Sequence, residues 1–148
     1  MESYHLRTDL YQITAVSIND LKIINEIENQ LSLNLTTLNF FKRVSLNNNF
    51  KFLKLQVNLN IIGFILFSFN KKDCDIISIG VCKNFQKQGY GKKLIEYLKN
   101  KICLDIFVEV SKNNKNALIF YKKLKFIEIG LRKKYYKKNN TDAILLKL

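Results

Sequence analysis

Between the apolar stretch Ile76 to Val81 and the helix-like stretch Lys92 to Ile102 runs Gln86-Lys87-Gln88-Gly89-Tyr90-Gly91, a Q-x-x-G-x-G sequence. A loop of this type between a strand and a helix turns several backbone N–H groups toward one point at a helix N-terminus. Unpaired donors and the positive end of the dipole there favour phosphate. Two glycines allow close approach of the main chain to a ligand, and Lys87, Lys92 and Lys93 add positive charge around the same turn. A pyrophosphate-bearing ligand is the natural guest. Two glycines before a helix also occur as an ordinary tight turn, and that alternative stays open on the loop alone. The dinucleotide fingerprint needs a third glycine and a later acidic residue, and the P-loop needs Gly-Lys-Ser/Thr, so neither is present. The side chains left for chemistry are few. A single histidine, His5, removes His-based metal centres and Ser-His-Asp triads. Cys74, Cys82 and Cys103 are odd in number, far apart and form no C-x-x-C pair, so they read as reduced thiols and no metal is expected. Acid–base work falls to Glu, Asp, Tyr, Lys or water.

The elements that would position such a site follow from periodicity and turn chemistry. Tyr11 to Val16 reads as a first strand, and Ser17 or Asn19 can cap a helix with Leu21, Ile24, Ile27 and Leu31 on one face. A short helix follows Thr36 or Thr37. Phe50 to Val57 and Ile61 to Phe69 form a hairpin joined by Asn58-Leu59-Asn60, and Asp75 to Val81 is the strand before the glycine loop. The next helix carries Leu94, Leu98 and Ile102 on one face. Leu104, Ile106, Val108 and Val110 then alternate with Asp105, Phe107 and Glu109, as in a two-faced strand. Asn113 or Asn114 caps a helix with Ala117, Phe120, Tyr121 and Leu124 as its apolar stripe, and strands from Phe126 to Ile129, around Tyr135 and Tyr136, and from Ala143 to Leu148 close the chain. The order β, α, α, β, β, β, α, β, α, β, β, without linker or repeat, describes one α/β domain over residues 1–148 built on a mixed sheet.

The 148 residues suit one domain, and 47% hydrophobic residues allow a core without disulfide or metal support. The longest apolar run, Ile61 to Phe69, is far short of the roughly 20 residues that span a bilayer. The segment Met1 to Arg7 lacks the pattern of a secretory leader, so no membrane is expected and a cytoplasmic setting is. A net charge of +13 asks for an anionic partner: a phosphorylated cofactor, RNA or an acidic surface. Nearly all of that charge is lysine, and abundant Asn with no Pro or Trp points to an AT-biased genome. Base-reading arginine forks are scarce, so direct nucleic-acid binding is not expected.

Several motifs then fall in one order: the Q-x-x-G-x-G loop, Val108-Glu109-Val110, Asn114 with Asn116-Ala117, Tyr121 to Phe126, Arg132 to Tyr136, and Asp142-Ala143-Ile144. From Ile76 to the end of the chain this resembles the GNAT family of N-acetyltransferases, and within it the RimI-type enzymes that acetylate the N-terminal alanine of a small-subunit ribosomal protein. The resemblance implies the GNAT fold, a central, mostly antiparallel sheet flanked by helices, in a chain expected to be a monomer. It implies acetyl-CoA as cosubstrate, with its pyrophosphate on Gln86, Lys87, Gln88, Gly89, Tyr90, Gly91 and Lys92. The strand of Ile79, Gly80 and Val81 is expected to splay from that of Glu109 so that the pantetheine runs between them, and Asn114 to touch the cofactor. By the same resemblance Glu109 is the general base, acting through water, and Tyr121 the general acid toward the departing thiolate. Tyr135 or Tyr136 lines the peptide groove, and the acceptor is a protein N-terminus, that of a ribosomal protein; another N-terminus, a lysine or a small amine as acceptor, and a non-catalytic basic module of the same fold that binds RNA or the ribosome, stay open as alternatives. Taken without the resemblance, Glu109 is a solvated strand residue, Tyr121 a core aromatic, the tyrosine pair strand aromatics and Asp142 a turn residue.

The chain departs from the family pattern in three places. Lys125 stands where glycine is common, at a left-handed position that costs another residue roughly 1 kcal/mol, so a reshaped helix end is expected. Cys82-Lys83-Asn84 replaces an acidic–proline pair before the loop, which should alter the turn but not the phosphate site. Leu31 to Val44 lacks the Trp and Pro common in the acceptor wall.

Overall fold

A computed structural model of the chain describes residues 10–33 and 36–148. The expectations attached to His5, to Arg7 and to the N-terminal segment lie outside the described residues, as do positions 34 and 35 of the acceptor wall. The elements are β1 (Tyr11–Ala15), α1 (Leu21–Gln30), α2 (Leu38–Ser45), β2 (Phe50–Val57), β3 (Asn60–Phe69), β4 (Asp73–Val81), α3 (Tyr90–Lys101), β5 (Asp105–Ser111), α4 (Lys115–Lys123), β6 (Ile127–Tyr136) and β7 (Thr141–Lys147). They build one seven-stranded sheet in the order β1-β2-β3-β4-β5-β7-β6. Every neighbouring pair is antiparallel except β4 with β5. This is the mixed, mostly antiparallel sheet the sequence implies.

Helices cover both faces of the sheet. Val16, Phe52, Phe64 and Leu66 form one core with Leu21, Ile24 and Ile27 of α1 and Val44 of α2. On the other face Leu55, Ile65, Phe67, Ile106 and Val108 pack with Leu94 and Leu98 of α3 and Tyr121 of α4. Double coverage is why Ile61 to Phe69 reads as an unbroken apolar run and not as an alternation. Local chemistry sets the joints. The Thr37 side chain accepts from Phe40 N at 3.1 Å and caps α2. The β2–β3 turn is the two residues Asn58 and Leu59, with φ of 48° and 67°, so Asn60 already belongs to β3.

Two irregularities prepare the site. Leu66 pairs with Ser78 and Phe67 with Ile76, which leaves Ile77 as an extra residue in β4. This bulge reverses the strand's faces: Cys74 and Ile76 point into the α3–α4 core, and beyond the bulge Val81 does so in place of Ser78. The parallel ladder of β4 with β5 runs only from Asp73↔Asp105 to Ile76↔Val108. Beyond it β5 continues against β7 alone and the two strands part.

Candidate active site

The donor turn is built at the end of β4. Cys82 N donates to Ile62 O at 2.7 Å, so by antiparallel alternation the main-chain groups of Ile79 and Val81 point away from β3, into the gap that β5 has left. The Gln86 amide donates to Val81 O at 2.9 Å and closes the end of that gap. Gln88 donates to Asn84 O at 2.9 Å and braces the turn. Cys82-Lys83-Asn84 is accommodated by a 3-10 turn at Lys83–Phe85, tied to the end of α1 where Cys82 Sγ donates to Gln30 Oε1 at 3.2 Å.

Helix α3 starts at Tyr90, two residues earlier than the sequence suggests, after Gly89 at φ 86°. Lys87 also has positive φ, 60°. The first helical bond runs from Lys93 N to Gly89 O at 3.0 Å, so the amides of Gly91 and Lys92 precede the ladder and project from the helix start. The two glycines differ in purpose. Around Gly89 there is open space, and its backbone conformation is what requires glycine. Gly91 lies in the first helical turn, where a Cβ would sit 3.0 Å from Phe120 Cε2; it is small because α4 packs against it. Tyr90 is only 4% exposed, its ring 6.2 Å from that of Phe85, so its side chain belongs to the core and only its main chain is at the turn.

A cleft of about 1120 Å³ opens beside these groups. Ile79, Gly80, Val81, Gln86, Lys87, Gly89, Gly91 and Lys92 border it, with Asn114 and Tyr121 from the opposite side. The cleft suits a long, flexible ligand with an anionic middle: helix-start amides and lysines at one end, an apolar channel with unpaired strand amides running inward. Acetyl-CoA has that distribution of charge. Leu31, Ser32 and Leu33, at the start of the expected acceptor wall, also border it, and so does Phe120, which the sequence offers only as part of an apolar stripe. Among the described residues no group of three or more His, Cys, Asp or Glu is placed to hold a metal ion.

Helix α4 delivers Tyr121. Asn114 caps the helix, its side chain accepting from Ala117 N at 3.1 Å. The far end closes with Phe126 N on Tyr121 O at 3.1 Å and Lys125 N on Lys122 O at 3.0 Å, a Schellman motif in which Lys125 takes φ 71°. The expected reshaping does not occur: lysine adopts the conformation usually given to glycine. The rings of Phe120 and Phe126 lie 5.0 Å on either side of Tyr121 and fix it. Tyr121 is 3% exposed yet borders the cleft, and burial, with Tyr136 nearby, pushes its hydroxyl well above the usual tyrosine range. A proton on this oxygen is firmly held at neutral pH.

Glu109, Tyr135 and Tyr136 do not border that cleft, but they meet beside it. Arg132 Nη1 lies 3.1 Å from Glu109 Oε1, and the Tyr136 hydroxyl donates to Glu109 O at 3.4 Å. Hydrogen bonding to the Glu109 carboxylate raises the Tyr135 hydroxyl above its usual range, while burial raises that of Tyr136. The two rings stand edge to face, 5.1 Å apart. Tyr136 is thus tied to the main chain of Glu109, not to its carboxylate, and lies near enough to Tyr121 to raise its hydroxyl. Asp142 is a brace, its carboxylate accepting from Lys134 N at 2.9 Å where β6 bulges.

The remaining wall is the segment after α1. Glu28 is 2% exposed; its Oε1 accepts from Thr36 Oγ1 at 2.7 Å and its Oε2 from Thr36 N at 3.1 Å. Its own carbonyl accepts from Leu33 N at 2.8 Å. One residue thus holds both ends of the loop carrying Leu31, Ser32 and Leu33 along the cleft. Leu31 also presses on β4, where a Cβ on Gly80 would lie 2.7 Å from Leu31 Cδ1. A glutamate in an amphipathic helix carries no sequence signal of this task.

Known proteins share this fold. The chain is 36% identical over 90 residues to the ribosomal protein bS18-alanine N-acetyltransferase of Haemophilus influenzae, a match over 58% of this chain and 61% of that one. It is 26% identical over 115 residues to the Escherichia coli protein of the same name, over 72% and 78% of the two chains. The aligned part thus spans less than two thirds of the first relative. The crystal structure of the Escherichia coli ribosomal-protein-S18-alanine N-acetyltransferase superimposes with a TM-score of 0.80 at 23% identity, covering 94% and 93% of the chains. Arabidopsis thaliana Naa50 in complex with the bisubstrate analogue CoA-Ac-MVNAL does so with 0.76 at 19%, covering 93% and 97%. At such identities these structures speak for the fold. The profile of the acetyltransferase (GNAT) family matches residues 17–126, and to that family the chain belongs.

Proposed function

We propose that the protein transfers the acetyl group of acetyl-CoA to the α-amino group at a protein N-terminus, and that the acceptor is the N-terminal alanine of a small-subunit ribosomal protein in the cytoplasm. The observation that carries this reading is the cleft, which the donor turn of α3, the parted edge of β4 and Tyr121 border together. The relatives' names support the choice of acceptor.

In this mechanism the amides of Gly91 and Lys92 and the side chains of Lys87 and Lys92 hold the pyrophosphate, and the free amides of Ile79 and Val81 align the pantetheine arm. An α-amine has a pKa of about 8, so much of it is protonated at neutral pH and must lose a proton before it attacks. Glu109 takes that proton through water, Arg132 holding the carboxylate in place. Tyr121, kept protonated by burial, gives its proton to the departing thiolate. The amine is nucleophile enough once neutral, so no covalent intermediate with the protein is needed. Tyr135, 47% exposed, and Tyr136 offer flat walls to the first residues of an extended peptide.

Incubation with acetyl-CoA and a panel of peptides tests the reading. A peptide beginning with free Ala should be acetylated at its N-terminus in clear preference to its internal lysines, as located by mass spectrometry. Acetyl found on lysine, or a polyamine that proves the better acceptor by kcat/KM, would overturn it.

A further inference from the structure

Between Lys112 and Lys138 the chain holds ten cationic side chains and one acid, Glu128. The fold gathers half of these cations at one end of the sheet. Lys112 N donates to Asp142 O at 2.9 Å, and Lys134 N to Asp142 Oδ1 at 2.9 Å, which fastens the β5–α4 loop to the β6–β7 turn. Lys112, Lys133, Lys134, Lys137 and Lys138 are all exposed there. None of them joins an ion pair among the described residues; Asp142 accepts from the Lys134 backbone amide, and Glu109 pairs with Arg132. The ridge flanks Tyr135 and Tyr136, the side of the site assigned to the acceptor. Its repulsion is uncompensated unless an anion covers it.

We propose that this lysine ridge docks structured RNA, so that the acceptor N-terminus is met while its protein sits on RNA. The inference rests on the ribosomal acceptor proposed above. A free protein that assembles on RNA is itself basic and would be repelled by the ridge within a Debye length, whereas the phosphates around it would be attracted. Lysines act as point charges on phosphate and carry no base readout, so binding is independent of sequence. The scarcity of arginine forks therefore excludes base reading without excluding the backbone contact made here.

Fluorescence anisotropy with a labelled RNA hairpin tests the ridge in the full chain. One variant combines Lys112→Gln, Lys133→Gln, Lys134→Gln, Lys137→Gln and Lys138→Gln. A control with the same net charge combines Lys51→Gln, Lys71→Gln, Lys72→Gln, Lys99→Gln and Lys101→Gln, all exposed positions on other parts of the surface. The ridge variant should lose about 30-fold or more in RNA affinity at low salt, and its log–log salt slope should fall by about 4, as expected for five phosphate contacts. The control should stay near the parent. Equal losses in both variants, absence of RNA binding by the parent, or equally tight binding of a polyglutamate peptide would each overturn the proposal. Acetylation of a free Ala-peptide, measured in parallel, should be kept by both variants. Its absence in the parent would count against the proposed function and leave the RNA result standing.

Discussion

The cleft is bordered by two helix ends that close in the same way and are held differently. Helix α4 ends with Phe126 N on Tyr121 O and Lys125 at φ 71°; α1 ends with Leu33 N on Glu28 O and Ser32 at φ 57°. Both are Schellman closures, and both place a non-glycine residue in the left-handed region. At α4 the closure is locked by neighbouring rings, Phe126 lying 5.0 Å from Tyr121, within six residues of chain. At α1 it is locked by a buried carboxylate that reaches Thr36, eight residues on. The first presents Tyr121, the proton donor of the proposed mechanism, and the second a wall of the cleft. A rigid aromatic clamp suits a group whose oxygen must stay in one place. A single carboxylate hinge suits a wall that would yield to the acceptor peptide proposed above.

The largest effect should come from the α4 end. Tyr121→Phe keeps the ring packing and removes the proton donor, so kcat should fall about 100-fold or more with acetyl-CoA affinity little changed, as read by steady-state kinetics and calorimetry. Undiminished turnover would take Tyr121 out of the mechanism. The same variant has a signature in alkali. Burial raises the Tyr121 pKa in the folded state, so its contribution is fully present below the unfolded value and is lost as pH rises beyond about 10. The parent's urea midpoint should therefore fall more steeply above that pH than that of Tyr121→Phe.

At the α1 end Glu28→Ala leaves the Thr36 amide and hydroxyl buried and unpaired, which should cost about 1–3 kcal/mol in urea unfolding. If the carboxylate serves the wall, KM for the acceptor should rise more than kcat falls, and Glu28→Gln, which keeps one acceptor oxygen, should recover part of it. A uniform loss of active protein with KM unchanged would make Glu28 a stability residue only. The smallest effects test the shared closure. Lys125→Gly and Ser32→Gly should each relieve up to about 1 kcal/mol of left-handed strain and raise Tm by about 2–4 °C. A loss of stability in either would show that the side chain there does more than tolerate its conformation.

Much of the catalytic half was legible. Gly89, the Asn114 cap and the alternation of β5 are local signals, and each works within a few residues of the chain. Gly91 was legible as a position and misread as to cause, because the group that demands its smallness, Phe120, lies across the fold on α4. Lys125 was read as a break in the pattern, yet tertiary packing around Tyr121 holds the closure despite the strain. Leu31 to Leu33 were placed in a wall by the family resemblance alone, and Glu28 carried no sequence mark, since an amphipathic helix with a glutamate on it is ordinary.

The sequence by itself determined the order of elements, the donor turn before α3 and the family, because periodicity, caps and glycines act over short stretches of chain. Only the tertiary structure decided which face Ser78 and Val81 present after the Ile77 bulge, at which pair β4 and β5 part, and that Glu28 reaches Thr36. It also decided that Lys112 stands beside Lys134. Such meetings depend on strand register and sheet order, and a shift of one residue in register reverses every side chain, so nothing local in the chain specifies them.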